Sequence, residues 1–281
     1  MRHDLATLPQ LLRWLVASMW DAYGHIFHAY EVVGMEKLPP SGPAFIVFYH
    51  GASTCDAYYF AARHQLERHR FPVPVVDRFI FRMPGMRTLL DLAEATDCTV
   101  DICASYLNPH LQPRHPTVPK LSQLNANGCV LLLAPGGVRE ALFADEFYSV
   151  MWGNRQGFAK VALLAGQPIY PMFTENIREV IRVVQFGKSW WRKLYERTRL
   201  PFVLFYGYFP VKLRTYIGDP IYPQEGETPE QLAQRTKQAM AELIRTHQWT
   251  PSNLLCAILQ RVPSFDRWFE KHKQRKLALT N

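Results

Sequence analysis

Two apolar runs, Phe45-Ile46-Val47-Phe48-Tyr49 and Cys129-Val130-Leu131-Leu132-Leu133-Ala134, limit what this chain can fold into more than any other feature. Neither alternates with polar residues, so each reads as a strand buried on both faces. Helical patterns follow each of them: Tyr58, Tyr59, Phe60 and Leu66 behind Asp56, then Phe158, Val161, Ala162, Leu163 and Leu164. Tyr30 to Gly34, Pro168 to Phe173, Phe202 to Tyr208 and Arg214 to Gly218 read as further strands. Thr228-Pro229-Glu230 opens a helix to about His247, because Thr caps, Pro suits the first turn and Glu opposes the dipole. Buried strands alternating with helices predict an α/β fold, a mainly parallel central sheet flanked by helices. Ligands of such sheets gather where strand carboxyl ends meet the next loops, and both His50 and Arg139 sit at such ends.

A length of 281 residues with 48% hydrophobic content is ample for one sizeable core. Lys and Arg exceed Asp and Glu by 32 to 24, a net charge of +8, so the surface should be drawn to anionic partners. Cys55, Cys98, Cys103, Cys129 and Cys256 are odd in number and lie in no C-x-x-C spacing, which indicates neither a disulfide framework nor a zinc site. The opening residues lack the pattern of a secretory signal, and Arg13, Asp21, His25, His28 and Glu31 interrupt the apolar stretch from Leu11 to Val33. That stretch reads as an amphipathic helix, either lying in a membrane interface or packed on its own core. Three regions follow: 1–34 as helix and first strand with membrane attachment, 35–248 as the main domain with a Pro-rich insertion at 106–127, and 249–281 as an amphipathic basic tail. Asn253 to Phe269 continues the helical spacing, and both Lys188 to Tyr195 and Trp268 to Lys276 mix aromatics with cations as interfacial segments do.

Two constellations carry chemistry. His50 and Asp56 stand at the end of a buried strand and in the first turn of the helix after it. A histidine there can accept a proton from a hydroxyl, and an aspartate on its other ring nitrogen would hold the tautomer. The plainer reading is a turn-capping His and a helix-capping Asp. Pro135-Gly136-Gly137-Val138-Arg139-Glu140 then places two glycines, a cation and an anion directly after a strand. Glycine amides can approach a phosphate or oxyanion closely and a guanidinium can grip phosphate by two bonds, although a surface turn with an Arg-Glu pair is equally ordinary.

Taken with Asp77 to Gly85, Trp152-Gly153-Asn154-Arg155-Gln156-Gly157-Phe158, Pro168 to Phe173 and Gly207 to Tyr216, these motifs resemble the glycerolipid acyltransferases. Within them the chain is most similar to the diacylglycerol and monoacylglycerol acyltransferase group, in its transmembrane protein 68 branch. The resemblance runs from about Trp20 to Val262. Five residues separate His50 from Asp56 here, where the wider superfamily has four. The resemblance implies an acyl-CoA-dependent O-acyltransferase of neutral glycerolipid, diacylglycerol being the favoured acceptor and triacylglycerol the product. Lysophospholipid or lysophosphatidate acylation and a non-catalytic lipid-binding protein are the rivals. It further implies His50 as general base, Asp56 as its orienter, and Gly136, Gly137 and Arg139 as contacts for coenzyme phosphate or headgroup. Glu140 would hold Arg139, with Arg82 and Arg155 as further phosphate contacts. Acyl-CoA enters as co-substrate with no bound cofactor or metal. The partners implied are glycerolipid and a membrane surface, not nucleic acid, at the cytosolic face of the endoplasmic reticulum.

Overall fold

The computed structural model describes residues 8–81, 90, 95–97, 99–108, 110–111, 129–184, 186–198 and 203–280. Its centre is a seven-stranded sheet. The strands are β1 (Glu31–Val33), β2 (Ala44–Phe48), β3 (Val73–Val76), β4 (Thr96–Asp97), β5 (Val130–Leu133), β6 (Ile169–Glu175) and β9 (Arg214–Ile217). They lie in the order β1-β9-β6-β2-β5-β3-β4. Every pairing is parallel except β6 with β9. The two apolar runs that anchor the sequence reading are neighbours: Phe45 pairs with Leu131 and Val47 with Leu133. A separate two-stranded ribbon joins β7 (Ile181–Val183) and β8 (Phe205–Gly207) antiparallel. The strand expected from Phe202 to Tyr208 is therefore shorter than predicted and lies outside the main sheet.

Strand β2 shows why the run has no polar member. Phe45, Val47 and Tyr49 enter the larger core cluster while Ala44, Ile46 and Phe48 enter a second one with Met35 and Leu38. Alternate residues of a strand face opposite sides, so both faces of the sheet are covered. The helices are α1 (Leu8–His28), α2 (Cys55–Arg68), α3 (Arg78–Phe81), α4 (Val100–Leu107), α5 (Gly137–Phe143) and α6 (Gly157–Ala165). They continue as α7 (Ile177–Val180), α8 (Lys188–Thr198), α9 (Pro229–His247), α10 (Leu254–Leu259) and α11 (Pro263–Thr280). In α9, Leu232, Thr236, Met240 and Ile244 recur every fourth residue and are buried, and the predicted Thr228 cap is a full capping box with Gln231.

The amphipathic reading of α1 divides by face. One side packs on α2, with Arg63 bonding Asp21 at 2.6 Å and Trp20 stacked on Tyr58. The other leaves Leu11, Leu15, Met19 and Ile26 exposed. Among the described residues no helix is both long and apolar enough to cross a membrane. The helical spacing read from Asn253 to Phe269 is shared by two helices that part at Gln260–Val262, where Pro263 starts α11; proline fits a first turn, not a helix interior. The basic tail is also more deeply seated than its composition suggests. Lys273 is buried and bonds Glu175, Glu270 and the His247 carbonyl, while Arg214 reaches Glu31, Asp266 and Glu270. The Pro-rich 106–127 stretch begins at the end of α4 and lies largely outside the described residues.

Candidate active site

His50 follows β2 at the carboxyl edge of the sheet, two residues beyond Phe48, whose ring stacks on the imidazole. Its turn depends on Gly51, since a Cβ there would fall 2.6 Å from the Ile177 side chain. The side chain is half-buried, and Nδ1 lies 2.7 Å from the Gly51 carbonyl. A carbonyl only accepts, so Nδ1 carries the hydrogen and Nε2 holds the basic lone pair. Desolvation lowers the imidazole pKa from its ordinary 6.5, with the Gly51 carbonyl opposing the shift. The ring is therefore neutral and able to accept a proton at neutral pH.

Asp56 stands in the first turn of α2 and is buried, as the strand-turn-helix reading places it. Its neighbours differ from those expected. One carboxyl oxygen, Oδ1, has no hydrogen-bond partner, and the group is held by the Thr174 side chain and local backbone amides. Thr174 continues to Thr215 at 2.8 Å and Thr215 to Tyr30 at 2.9 Å, a buried polar chain. The imidazole nitrogen expected to face Asp56 is instead occupied by Gly51. Burial pushes the Asp56 carboxyl up to about 7.

The second constellation meets the first through Glu140. This residue is 0% exposed on α5 and accepts the His50 backbone N–H at Oε2 and the Met151 N–H at Oε1, each at 2.9 Å. Gly136 must lack a side chain, because a Cβ would stand 2.3 Å from that carboxylate. Gly137 adopts a left-handed φ of 48° at the start of α5. The expectation that Glu140 holds Arg139 is corrected: Arg139 is half-buried and pairs with Glu196 of α8 at 3.3 Å. Adjacent residues of a helix point about 100° apart, so one carboxylate cannot serve the core and its neighbour's guanidinium together. Arg155 is exposed, yet its Nη1 donates to the carbonyls of Pro135 and Gly136 at 2.6 and 2.7 Å, so it braces the glycine turn. Arg82 lies outside the described residues.

Sequence reasoning missed Arg178. It is buried after β6 and donates to the carbonyls of Glu140 and Ala144 at 3.3 and 2.7 Å, satisfying the carboxyl end of α5 as a cation does best. Its own backbone N–H bonds Tyr148, whose hydroxyl donates to buried Glu179. Nothing local in the sequence marks it, because its guanidinium finds its acceptors at the end of α5, more than thirty residues away. Among the described residues no three His, Cys, Asp or Glu side chains gather as metal ligands.

The acyltransferase family's sequence model matches residues 29–175, a span that contains His50, Asp56 and the whole glycine turn. The chain belongs to the acyltransferase family. This acyltransferase is 46% identical over 249 residues to a human protein named "DGAT1/2-independent enzyme synthesizing storage lipids", covering 89% of this chain and 71% of the human one. The chicken protein of that name is 44% identical over 247 residues, 88% of this chain and 68% of its own. Diacylglycerol O-acyltransferase 2 of Danio rerio is 31% identical over 125 residues, 38% of this chain and 35% of that protein. In fold the acyltransferase matches the 1-acyl-sn-glycerophosphate acyltransferase PlsC of Thermotoga maritima with a TM-score of 0.50 at 15% identity, covering 85% and 84% of the two chains. The glycerolipid type of acyltransferase, read from the motifs, thus stands on the sequence relatives, and the expected fold stands on the structural likeness.

Proposed function

We infer that this acyltransferase moves a fatty acyl group from acyl-coenzyme A to the free hydroxyl of diacylglycerol, giving triacylglycerol, at the cytosolic face of the endoplasmic reticulum membrane. The observation that carries the reaction is the His50 imidazole, neutral, only partly exposed and fixed as the tautomer with a bare Nε2. Nε2 removes the proton of the acceptor hydroxyl as its oxygen attacks the thioester carbonyl. The carbon–sulfur bond then breaks, and the departing coenzyme A sulfur takes the proton back from the imidazolium. Gly51 does the orienting that a carboxylate does in a catalytic triad.

A neutral acceptor is supported by what the nearby cations are doing. Arg139 is paired with Glu196 and Arg155 gives its Nη1 to two backbone carbonyls, so each is already engaged by the protein rather than standing as a dedicated phosphate clamp. The names of the similar proteins, which synthesise storage lipids, support the same acceptor. The test is a panel of labelled acyl-CoA with diacylglycerol, monoacylglycerol, lysophosphatidate and lysophosphatidylcholine in mixed micelles. Triacylglycerol should be the leading product; preferential acylation of lysophosphatidate would overturn the acceptor.

Asp56→Asn separates stability from turnover. The folded carboxyl titrates near 7, above its ordinary 3.8, so its contribution is fully present below about pH 4 and is lost as pH rises through 7. Asparagine carries no charge to bury. Urea melts should show the variant more stable than wild type at pH 8 by about 2–4 kcal/mol, with that advantage gone at pH 4. Because Gly51 holds Nδ1, turnover at pH 7 should fall less than tenfold; a loss on the His50→Ala scale would show Asp56 acting directly on the imidazole.

A further inference from the structure

Between β7 and β8 the chain leaves the main sheet and makes an excursion whose side chains suit neither core nor ordinary surface. Phe186 is 89% exposed, Trp190 59%, Leu204 66% and Phe205 66%, and all of β8 is open to solvent. An isolated two-stranded ribbon is marginal in water, and a cluster of exposed large apolar groups on one marks a contact surface. Val184, Phe186, Gly187, Trp190, Trp191 and Leu204 line an apolar pocket of about 310 Å³ within it. Helix α8 adds net positive charge. Arg192, Lys193 and Arg197 stand against Glu196 alone, and Glu196 is engaged by Arg192 and by Arg139. On its inner side Tyr195 is buried against Phe143 of α5, the helix that carries Glu140 and Arg139.

We propose that the β7–α8–β8 excursion docks on a bilayer containing anionic lipid, with Phe186 and Trp190 entering the acyl boundary and Lys193 and Arg197 meeting the headgroups. The choice of lipid over protein rests on the glycerolipid reading above and on charge: aromatic groups interleaved with cations fit an anionic interface, where each basic residue adds attraction. The contacts of Tyr195 with Phe143 and of Glu196 with Arg139 tie the excursion to α5, the helix whose Glu140 accepts the His50 backbone N–H.

The full chain should be sedimented with vesicles of phosphatidylcholine, alone or with phosphatidylserine, as wild type, Phe186→Ala/Trp190→Ala and Lys193→Glu/Arg197→Glu. Both positions of each pair are exposed, and circular dichroism checks that fold is kept. The aromatic pair should lower partition to both vesicles by about tenfold or more, and the charge pair should lower it only where phosphatidylserine is present, with a flatter salt dependence. Wild-type partition in both variants would overturn the proposal and leave α1 as the docking element. Acyl transfer in detergent micelles, measured in parallel, keeps the two readings apart. Vesicle binding lost in the variants from a chain without transferase activity upholds the surface and sinks the reaction; intact micellar transfer with unaltered vesicle binding does the reverse.

Discussion

His50→Ala is expected to reduce acyl transfer by about 10²- to 10⁴-fold, the range a positioned general base contributes, with little change in thermal midpoint. Stability should survive because alanine keeps the backbone N–H that Glu140 accepts. The same residue sets the acid limb of the pH profile. With its pKa held below 6.5 by desolvation, the imidazole is the free base at neutral pH, so the rate should fall only as pH drops through that lowered value. Single-turnover transfer from labelled acyl-CoA, measured beside a melting curve, reads both. A folded alanine variant that turns over like wild type would remove this imidazole from the reaction.

Glu140 should produce the largest combined loss. Glu140→Ala strands the N–H groups of His50 and Met151 without a buried acceptor, and leaving such donors unpaired costs about 2–5 kcal/mol in sum. Glu140→Gln is the sharper probe. Glutamine keeps one carbonyl oxygen, but its amide nitrogen must face the second N–H, so one bond is lost and His50 is displaced or Met151 is. The wild-type carboxyl has its pKa raised by burial to about 7 from an ordinary 4.5. Its stabilising contribution is therefore complete below about pH 4.5 and declines as pH rises through 7, whereas glutamine does not titrate. Urea unfolding should show the deficit of Glu140→Gln greatest at pH 5 and smaller by about 2–3 kcal/mol at pH 8. Turnover should fall by more than tenfold at both. A variant with wild-type turnover and a pH-independent deficit would reduce Glu140 to packing.

The parts of this molecule that announce themselves in sequence are those governed by local periodicity. The unbroken apolar runs of β2 and β5, the capping residues at Thr228 and the glycines that end strands are each decided within a few positions. His50 and the Gly136-Gly137 turn were legible for the same reason: both follow strands that parallel topology brings together. What escaped was partnership. Glu140 was assigned to Arg139 because the two are adjacent in the chain, yet helical geometry sends one into the core and the other to α8. Asp56 turns toward Thr174, and the link from Lys273 to Glu175 joins residues 98 apart. Such contacts are set by how elements stack, which no short window of residues encodes. The same holds for Arg178, whose guanidinium is useful only because α5 ends beside it.

The ion cluster around Lys273 has a bearing on how this protein can be cut. Glu175 closes the segment that matches the family, and the cation beside it arrives from the final helix, as do the carboxylates of Asp266 and Glu270 that neutralise Arg214. Excision of the family-matching portion alone would strand an acid in the interior, a change that in buried pairs is worth about 3–5 kcal/mol. The last helix thus works as a keystone, and the catalytic half of the chain owes its closure to residues that no catalytic motif includes.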